Sequence, residues 1–298
     1  MHKVRSLTQS DLAFAVVAKL IMVLVLLVCA YPLYFILIAS ISDPVQVNAG
    51  KVILFPKAIL WDGYKSILRD HKIWQGYRNT ILYTVTGTAL NVCLTMGGAF
   101  ALSRRDLLMR KQIMILLTFT LFFNGGMIPN YLLVSGLGLK NSIWAMILPN
   151  AVSVWNLIIA RSFFITNIPD ELMEAAEIDG CDSLRFFFRI ALPLSLALVA
   201  VMLLFYAVTH WNAFFNALLY LDNSSSHPLQ LVLRNLLLVN QASDPAMLAD
   251  AEDMILRQKL ADLLKYGIIV VSTLPVLCLY PFVQRYFVKG VMIGAIKG

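Results

Sequence analysis

Charged residues are scarce in this sequence. Only 14% of its 298 residues are Asp, Glu, Lys or Arg, whereas 59% are hydrophobic. A soluble domain has about 25% charged and about 45–50% apolar residues. The apolar residues are gathered into runs near or beyond the ~20 that a helix needs to cross a bilayer. The sequence therefore predicts an all-α polytopic membrane protein and excludes an ordinary soluble domain.

Cysteine and histidine are also few. The four cysteines are far apart and form no CxxC pair, so neither a disulfide framework nor a metal cluster is indicated. The four histidines are isolated from one another along the chain. The net charge of +7 is scattered among short loops, as is usual for Lys and Arg beside membrane spans, which argues against nucleic-acid binding. We predict neither a metal site nor a cofactor in this chain.

Sequence motifs for catalysis are missing as well. No G-x-x-x-x-G-K-[ST] occurs, so the chain does not bind ATP through a P-loop. Neither G-x-S-x-G nor H-E-x-x-H is present. These absences predict a protein that is not an enzyme.

The apolar runs predict six membrane spans within a single domain, 1–298. Their approximate bounds are 18–41, 79–103, 112–134, 141–165, 194–220 and 264–287. The first run is longer than the apolar region of a signal peptide, so we interpret it as a retained anchor. Lys and Arg are dense in the short loops at one end of the spans, which predicts that both termini lie in the cytoplasm.

Polar and helix-breaking residues interrupt several spans. Asn124, Gly125 and Gly126 lie about 18 Å along the third span, at 1.5 Å per residue. Backbone groups at a helix break cannot be satisfied by lipid, so this break should face protein or a water-filled cavity. Such breaks near the midplane are common binding sites in transporters. We therefore place Asn124 and Gly125 on a candidate substrate path.

Other polar residues in the spans extend this candidate path. Thr84, Thr88, Asn91 and Thr95 form one stripe on the second span, which should face the bundle interior for helix packing or transport. Amide side chains can bind sugar hydroxyls, and aromatic rings can cover a sugar's apolar face. The remaining candidate path residues are Asn91, Asn150, His210, Trp211, Asn212 and Asn216.

The loop 169–193, between the fourth and fifth spans, is rich in acidic residues. Pro169 suits the first position of a helix, and acidic residues in the next turn favour the helix dipole. Gly180 is placed to end this helix, and Asp182 or Ser183 can cap a second short helix. The pattern predicts a helical elbow outside the bilayer.

Small residues mark one face of the first helix in this elbow. The positions i, i+3, i+4 and i+7 on that face are Leu172, Ala175, Ala176 and Asp179. Two adjacent alanines allow another backbone to approach closely. The face is therefore a candidate docking surface for a partner protein, although a solvated amphipathic loop would show the same periodicity.

The order of residues in this loop resembles a known motif. Glu174-Ala175-Ala176, three residues, Gly180, nine residues and then Ile190-Ala191-Leu192-Pro193 are similar to the EAA loop of binding-protein-dependent ABC importer permeases. The resemblance implies a six-span permease with a cytoplasmic coupling helix that inserts into an ATP-hydrolysing subunit. It assigns docking to Leu172, Glu174, Ala175, Ala176, Asp179 and Gly180.

The C-terminal tail resembles the sugar-importer branch of the same family. Its matching residues imply a contact with the ATPase subunits and are Lys289, Gly290, Gly294, Lys297 and Gly298. The segment HPLQLVLRNLLL (227–238) resembles permeases for complex oligosaccharides. The resemblance implies a second homologous permease, two ATP-binding subunits that hold ATP and Mg, and an extracytoplasmic solute-binding protein. The resemblance also places the chain in the bacterial cytoplasmic membrane, where membrane lipid is a further partner.

Three alternatives remain at this point. The chain could serve an ABC importer for a non-sugar solute. An ion-coupled secondary transporter would need carboxylates inside its spans, and the predicted spans contain no Asp or Glu. An intramembrane lipid or glycan transferase would need the acidic residues of the loop to face a cavity at membrane level.

Overall fold

The computed structural model describes residues 9–241, 262–278 and 281, and every regular element in that part is helical. Residues 262–278 are helical too. The other elements are α1 (Gln9–Ser40), α2 (Pro44–Asn48), α3 (Asp62–Arg69), α4 (His71–Ser103), α5 (Arg110–Phe122), α6 (Met127–Gly136), α7 (Ile143–Ile147), a 3₁₀ turn (Leu148–Asn150), α8 (Val154–Asn167), α9 (Asp170–Ile178), α10 (Ser183–Phe186), a π-helical turn (Phe187–Ala191), α11 (Leu192–Leu194), α12 (Leu196–Trp211), α13 (Phe215–Tyr220), a 3₁₀ turn (Ser224–Ser226) and α14 (Leu229–Gln241).

Contacts divide the chain into two compact units. The first unit contains the described residues up to Asp70 together with those described between 236 and 273. In it, α1 has 32 residues and exposes apolar side chains on all sides over most of its length. Its C-terminal end packs on the segment that follows, where Ile38 and Ala39 are buried with Val47 and Val52. An outward-facing apolar helix of this length fits a membrane anchor.

The second unit is built around α4, a helix of 33 residues that contacts α8 and α12. One of its core clusters joins Met96 and Phe100 of α4 to Phe164 of α8, Phe186 of α10 and Met202 of α12. The polar stripe of α4 faces inward, because Thr88, Asn91 and Thr95 are buried. This confirms the prediction that the stripe points into the bundle interior.

The third, fourth and fifth predicted spans are each broken rather than straight. Helix α5 meets α6 at an angle of 116°. The segment 143–150 meets α8 at 54°, and 183–194 meets α12 at 84°. Only α1 and α4 are single helices long and apolar enough to cross a membrane within the described residues, and up to five spans result if each bent pair forms one span. The apolar runs in the sequence predicted these segments but did not predict the angles between their helices.

Two predicted loops contain helices, so their boundaries need correction. The polar segment 42–78 holds α2, α3 and the first residues of α4, which begins at His71. The polar loop 221–263 contains α14, whose Leu229 and Leu231 are buried. Both segments are amphipathic, and packing of their apolar sides makes them helical. The sixth predicted span is described only up to residue 278, apart from 281.

Candidate functional site

The EAA segment forms a separate helix, α9, which we call the docking segment. Pro169, predicted as the first helical residue, is instead the N-cap, with φ −67° and ψ 150°, and the helix begins one residue later at Asp170. Asp170 and Glu171 occupy the first turn, where carboxylates interact favourably with the exposed N–H groups. The preceding helix α8 ends at Asn167 with Ile168 as its C-cap, so Pro169 follows directly on the end of α8.

A Schellman motif ends the docking segment. Gly180 has φ +74° and donates its N–H to Glu177 O at 3.0 Å, while Cys181 donates to Ala176 O at 2.9 Å. This pair of hydrogen bonds defines the motif and satisfies two C-terminal carbonyls. The prediction that Gly180 ends the helix is confirmed. Asp182 then caps α10, because its Oδ1 accepts a hydrogen bond from Arg185 N at 3.0 Å.

The docking segment has one buried face and one free face. Met173 and Ala176 are 1% and 7% exposed and belong to the core that α4, α8 and α12 share. Glu174 and Ala175 are exposed, and Ile178 is 87% exposed. Burial of the Met173 side chain alone contributes about 1.5–3 kcal/mol, so the helix is fixed to its own chain.

The predicted small-residue face is therefore divided. Ala176 points into the core and Leu172 is half-buried, whereas Ala175, Asp179 and Gly180 are exposed. The reason is that the helix needs an apolar anchor, and Met173 with Ala176 provides it. Met173 was missed by the sequence analysis, although its spacing of three from Ala176 was the available signal.

Ion pairs connect the docking segment to the turn between α4 and α5. Arg105 Nε lies 2.9 Å from Asp170 Oδ2, and Arg104 lies 3.9 Å from Glu177 Oε1. Arg105 is 83% exposed at its side chain, so its pair contributes at most about 1 kcal/mol. Glu174, between these two acidic residues in sequence, forms no ion pair with any described residue.

The predicted break in the third span lies where expected. Helix α5 ends at Phe122, and α6 begins at Met127 after a turn in which Asn124 Oδ1 accepts a hydrogen bond from Gly126 N at 2.9 Å. Gly126 has φ +89°, a conformation that side chains with a Cβ rarely adopt. The break is thus made by the local chemistry of Asn and Gly.

A cavity of about 910 Å³ opens beside this break. Its polar lining combines two predicted path residues, Asn124 and Asn150, with five that sequence reasoning missed: Thr120, Ser153, Asn156, Tyr206 and Thr209. Phe205 adds an aromatic ring to the lining. Thr120 comes from α5, Ser153 and Asn156 from the start of α8, and Tyr206 and Thr209 from the second half of α12. Single polar residues in these apolar runs gave little signal. The lining contains hydroxyls, amides and two aromatic rings, and no charged side chain among the residues that the structure describes.

Buried hydrogen bonds hold the cavity wall in place. Asn91 does not line the cavity, but its Nδ2 donates to Asn150 O at 3.0 Å. The Tyr206 hydroxyl lies 2.6 Å from Thr95 Oγ1 and accepts from Ser153 N at 3.2 Å. The polar stripe of α4 therefore supports the cavity from behind, so Asn91 positions the wall.

The other predicted path residues lie elsewhere. His210 is 5% exposed and packs against Gly87, while Trp211 is 6% exposed with its ring 6.2 Å from that of Tyr77. Asn212 and Asn216 do not share a helix face, because α12 ends at Trp211 and α13 begins at Phe215. These four residues and Gly125 do not line the cavity, so the structure does not bring them together with Asn124 and Asn150 there. The tail residues Lys289, Gly294, Lys297 and Gly298 lie outside the described residues.

This broken-helix bundle has the fold of a polytopic permease of the ABC-importer class. A solved bacterial ABC transporter involved in the import of the acidic polysaccharide alginate has a chain that aligns with 95% of this one and 99% of its own length, at a TM-score of 0.82 and 30% identity. A family model described as "Binding-protein-dependent transport system inner membrane component" matches residues 110–235, which include the docking segment and the cavity.

The chain belongs to this family of binding-protein-dependent inner membrane components. The polygalacturonan/rhamnogalacturonan transport system permease protein YtcP of Bacillus subtilis (strain 168) is 42% identical over 91% of this chain and 94% of its own length. Protein LplC of the same organism is 39% identical over 90% of this chain and 89% of its own length. The arabinooligosaccharides transport system permease protein AraQ of Halalkalibacterium halodurans is 26% identical over 91% of this chain.

Proposed function

We propose that this chain is a transmembrane permease subunit of an ATP-driven importer that moves carbohydrate, as an oligosaccharide, across the bacterial cytoplasmic membrane. The observation that carries the proposal is the docking segment, a short helix with one face in the core and the other free. The carbohydrate cargo is supported by the relatives, whose names include polygalacturonan, rhamnogalacturonan and arabinooligosaccharides. A non-sugar solute is the alternative that uptake assays would reveal.

In the proposed assembly, the chemistry belongs to partner chains. A second homologous permease completes the pathway, two ATP-binding subunits hold ATP and Mg, and a solute-binding protein delivers cargo from outside. Both termini of this chain lie in the cytoplasm, as does the docking segment. The tail residues 289–298 give a second contact with the ATP-binding subunits.

The docking segment can pass a displacement to the spans because it is packed against them. When ATP closes the two ATP-binding subunits, the one docked on this chain pulls on the exposed face around Glu174 and Ala175. The buried face, with Met173 and Ala176, shares a core with α4, α8 and α12. Close-packed cores transmit strain rather than absorb it. The bundle then changes between inward-open and outward-open arrangements.

Replacement of Glu174 tests the docking role. We expect Glu174→Lys, combined with Gly180→Pro, to abolish sugar uptake and to prevent co-purification of the ATP-binding subunits. Glu174 lies on the exposed face of α9, and Pro cannot adopt the positive φ of Gly180 in the turn that ends this helix. Asp62→Lys is the matched control, because it reverses an exposed acidic charge on α3 and should leave co-purification unchanged. Unchanged uptake and co-purification in the Glu174→Lys, Gly180→Pro variant would refute the docking role.

The cavity beside the α5–α6 break is the proposed cargo path. Its amide and hydroxyl groups can hydrogen-bond sugar hydroxyls, and Phe205 can cover an apolar sugar face. We expect Asn150→Leu and Thr209→Val to lower oligosaccharide uptake by about tenfold each, the loss of one or two hydrogen bonds. Thr86→Val is the control for Thr209→Val, because both hydroxyls donate to the carbonyl four residues earlier and Thr86 does not line the cavity. Equal uptake by Thr209→Val and Thr86→Val would exclude this path.

A further inference from the structure

A second, smaller cavity of about 350 Å³ lies beside the docking segment. Its walls come from the end of α4, the start of α5, α8 and the first turn of α9, and they contribute Arg104, Arg105, Arg110 and Arg161. The acidic side chains in its described lining are Asp170 and Glu171. Four cations thus face two carboxylates. We call this feature the arginine cavity.

Two of its arginines hold backbone carbonyls rather than carboxylates. Arg161 Nε donates to Leu102 O at 2.9 Å, and Arg110 donates to Arg104 O at 3.0 Å. A guanidinium has five N–H donors, so each side chain keeps further donors after these bonds. In the chain as described, neither Arg110 nor Arg161 takes part in an ion pair. Their positive charge is therefore available for an anion.

An apolar groove of about 620 Å³ borders the arginine cavity, because Phe100 and Arg104 line both. Its other lining residues include Leu108, Leu184 and Phe188, which are 85%, 71% and 63% exposed. The groove lies at the same ends of the helices as the arginine cavity. A ligand that occupies both features must have a negatively charged group joined to an apolar chain.

The location of the two features narrows the ligand further. The turn between α4 and α5 joins two predicted spans, so it lies where lipid headgroups meet water. Arginine binds phosphate oxygens in a bidentate manner, with two parallel hydrogen bonds. Basic pockets between membrane helices on the cytoplasmic side bind anionic headgroups. The combination of phosphate, apolar chain and membrane boundary describes an anionic phospholipid.

We propose that the arginine cavity binds the phosphate of an anionic phospholipid while an acyl chain of the same lipid fills the bordering groove. Arg110 and Arg161 contribute the unpaired donors. Arg104 lies between the phosphate headgroup and the acyl chain, because it lines both the cavity and the groove. The headgroup then lies beside the first turn of the docking segment, and Arg105, which lines the cavity and pairs with Asp170, links its phosphate to α9. Bound lipid would therefore stabilise the position of α9. The proposal does not depend on the cargo.

Lipid retention by the complete transporter tests this site. We expect native mass spectrometry of the full assembly from mixed phosphatidylglycerol and phosphatidylcholine nanodiscs to show retained phosphatidylglycerol. Arg110→Gln with Arg161→Gln should weaken this retention by at least about tenfold, since each removes a charge-assisted contact. Lys111→Gln is the matched control, because Lys111 is exposed in the same helix start and does not line the cavity. Equal retention in the double variant and the wild type would overturn the proposal.

A second variant covers the case in which the arginine variant does not fold. Ala101→Trp fills the groove, which Ala101 lines, and leaves every guanidinium in place. We expect this variant to lower phosphatidylglycerol retention while the assembly stays intact on size exclusion. Unchanged retention would contradict the proposal that an acyl chain fills the groove.

Inorganic phosphate added to pure phosphatidylcholine nanodiscs distinguishes the two phosphate sources. If phosphate alone raised the thermal midpoint as much as phosphatidylglycerol does, the ligand would be a free anion and the lipid proposal would fail.

Discussion

Gly87 of α4 and His210 of α12 lie against each other without room for another carbon atom. A Cβ built on Gly87 would come within 2.5 Å of the His210 ring atoms Cε1 and Nε2. His210 is 5% exposed, so the ring cannot move into solvent. A glycine at this position lets two helices approach closely, as small residues commonly do in membrane bundles. The sequence made His210 a candidate for cargo contact, and in the structure its ring packs against Gly87.

Enlargement of Gly87 should therefore destabilise the bundle. We expect Gly87→Ala to cost about 1–3 kcal/mol, the usual effect of overpacking, and to lower the thermal inactivation midpoint of the purified assembly. Gly98→Ala in the same helix is the control, because its nearest neighbour would be Leu157 Cδ1 at an ordinary 3.4 Å. Alanine there should be neutral or stabilising. If both variants inactivated at the wild-type temperature, the close contact of Gly87 would not matter for stability.

At the scale of an element, the docking segment depends on its C-terminal turn. Gly180 has φ +74°, yet a Cβ at this position would meet no atom within 4 Å in the chain itself. The glycine is therefore required by backbone conformation and not by crowding within the described residues. A partner subunit that approaches the Cα would add a second requirement.

Two substitutions of Gly180 separate these requirements. We expect Gly180→Ala to destabilise α9 by about 1–2 kcal/mol, the cost of the left-handed conformation. Asn tolerates this conformation better, so Gly180→Asn should have a smaller effect on the fold. Limited proteolysis of the loop measures the fold, and co-purification of the ATP-binding subunits measures docking. If the loop of Gly180→Asn resisted proteolysis but no ATP-binding subunit co-purified, the partner would need the space that a side chain at position 180 occupies.

At the scale of the whole described bundle, one hydroxyl connects three elements. Tyr206 of α12 is hydrogen-bonded to Thr95 of α4 and to the backbone N–H of Ser153 at the start of α8. Tyr206 and Thr95 are 2% and 0% exposed. A buried hydrogen-bonding group that loses its partner costs about 1–3 kcal/mol. The same Tyr206 hydroxyl therefore supports the wall of the cargo cavity and the packing of α4 against α12.

Removal of that hydroxyl should loosen the cavity wall. We expect Tyr206→Phe to cost about 1–3 kcal/mol of stability and to reduce uptake, because Ser153 N–H and Thr95 Oγ1 lose a shared partner. Thr95→Val should cost less, since Tyr206 keeps its bond to Ser153. Thermal midpoints of both single variants and of the double variant complete a double-mutant cycle. Because the two residues belong to one hydrogen-bond network, their stability changes should not add. Strict additivity would mean that the two hydroxyls act independently.

The sequence by itself determined those features that depend on local chemistry. The apolar runs required helices in lipid, Asn124 with the following glycines required a break, and Gly180 required the end of α9. The spacing from Glu174 to Pro193 was sufficient to indicate the family, because each of its elements is a fixed distance along one chain.

Only the tertiary structure decided which side of each helix faces a neighbour. It turned Ala176 into the core and left Ala175 exposed, and it placed His210 against Gly87 instead of in the cavity. It also brought Ser153, Asn156 and Tyr206 to one wall, from segments about 50 residues apart. The physical reason is that periodicity assigns a face to a straight helix, whereas bends of 54° to 116° redirect that face. Local residues mark where a break occurs, as at Asn124, but packing between distant segments sets its angle.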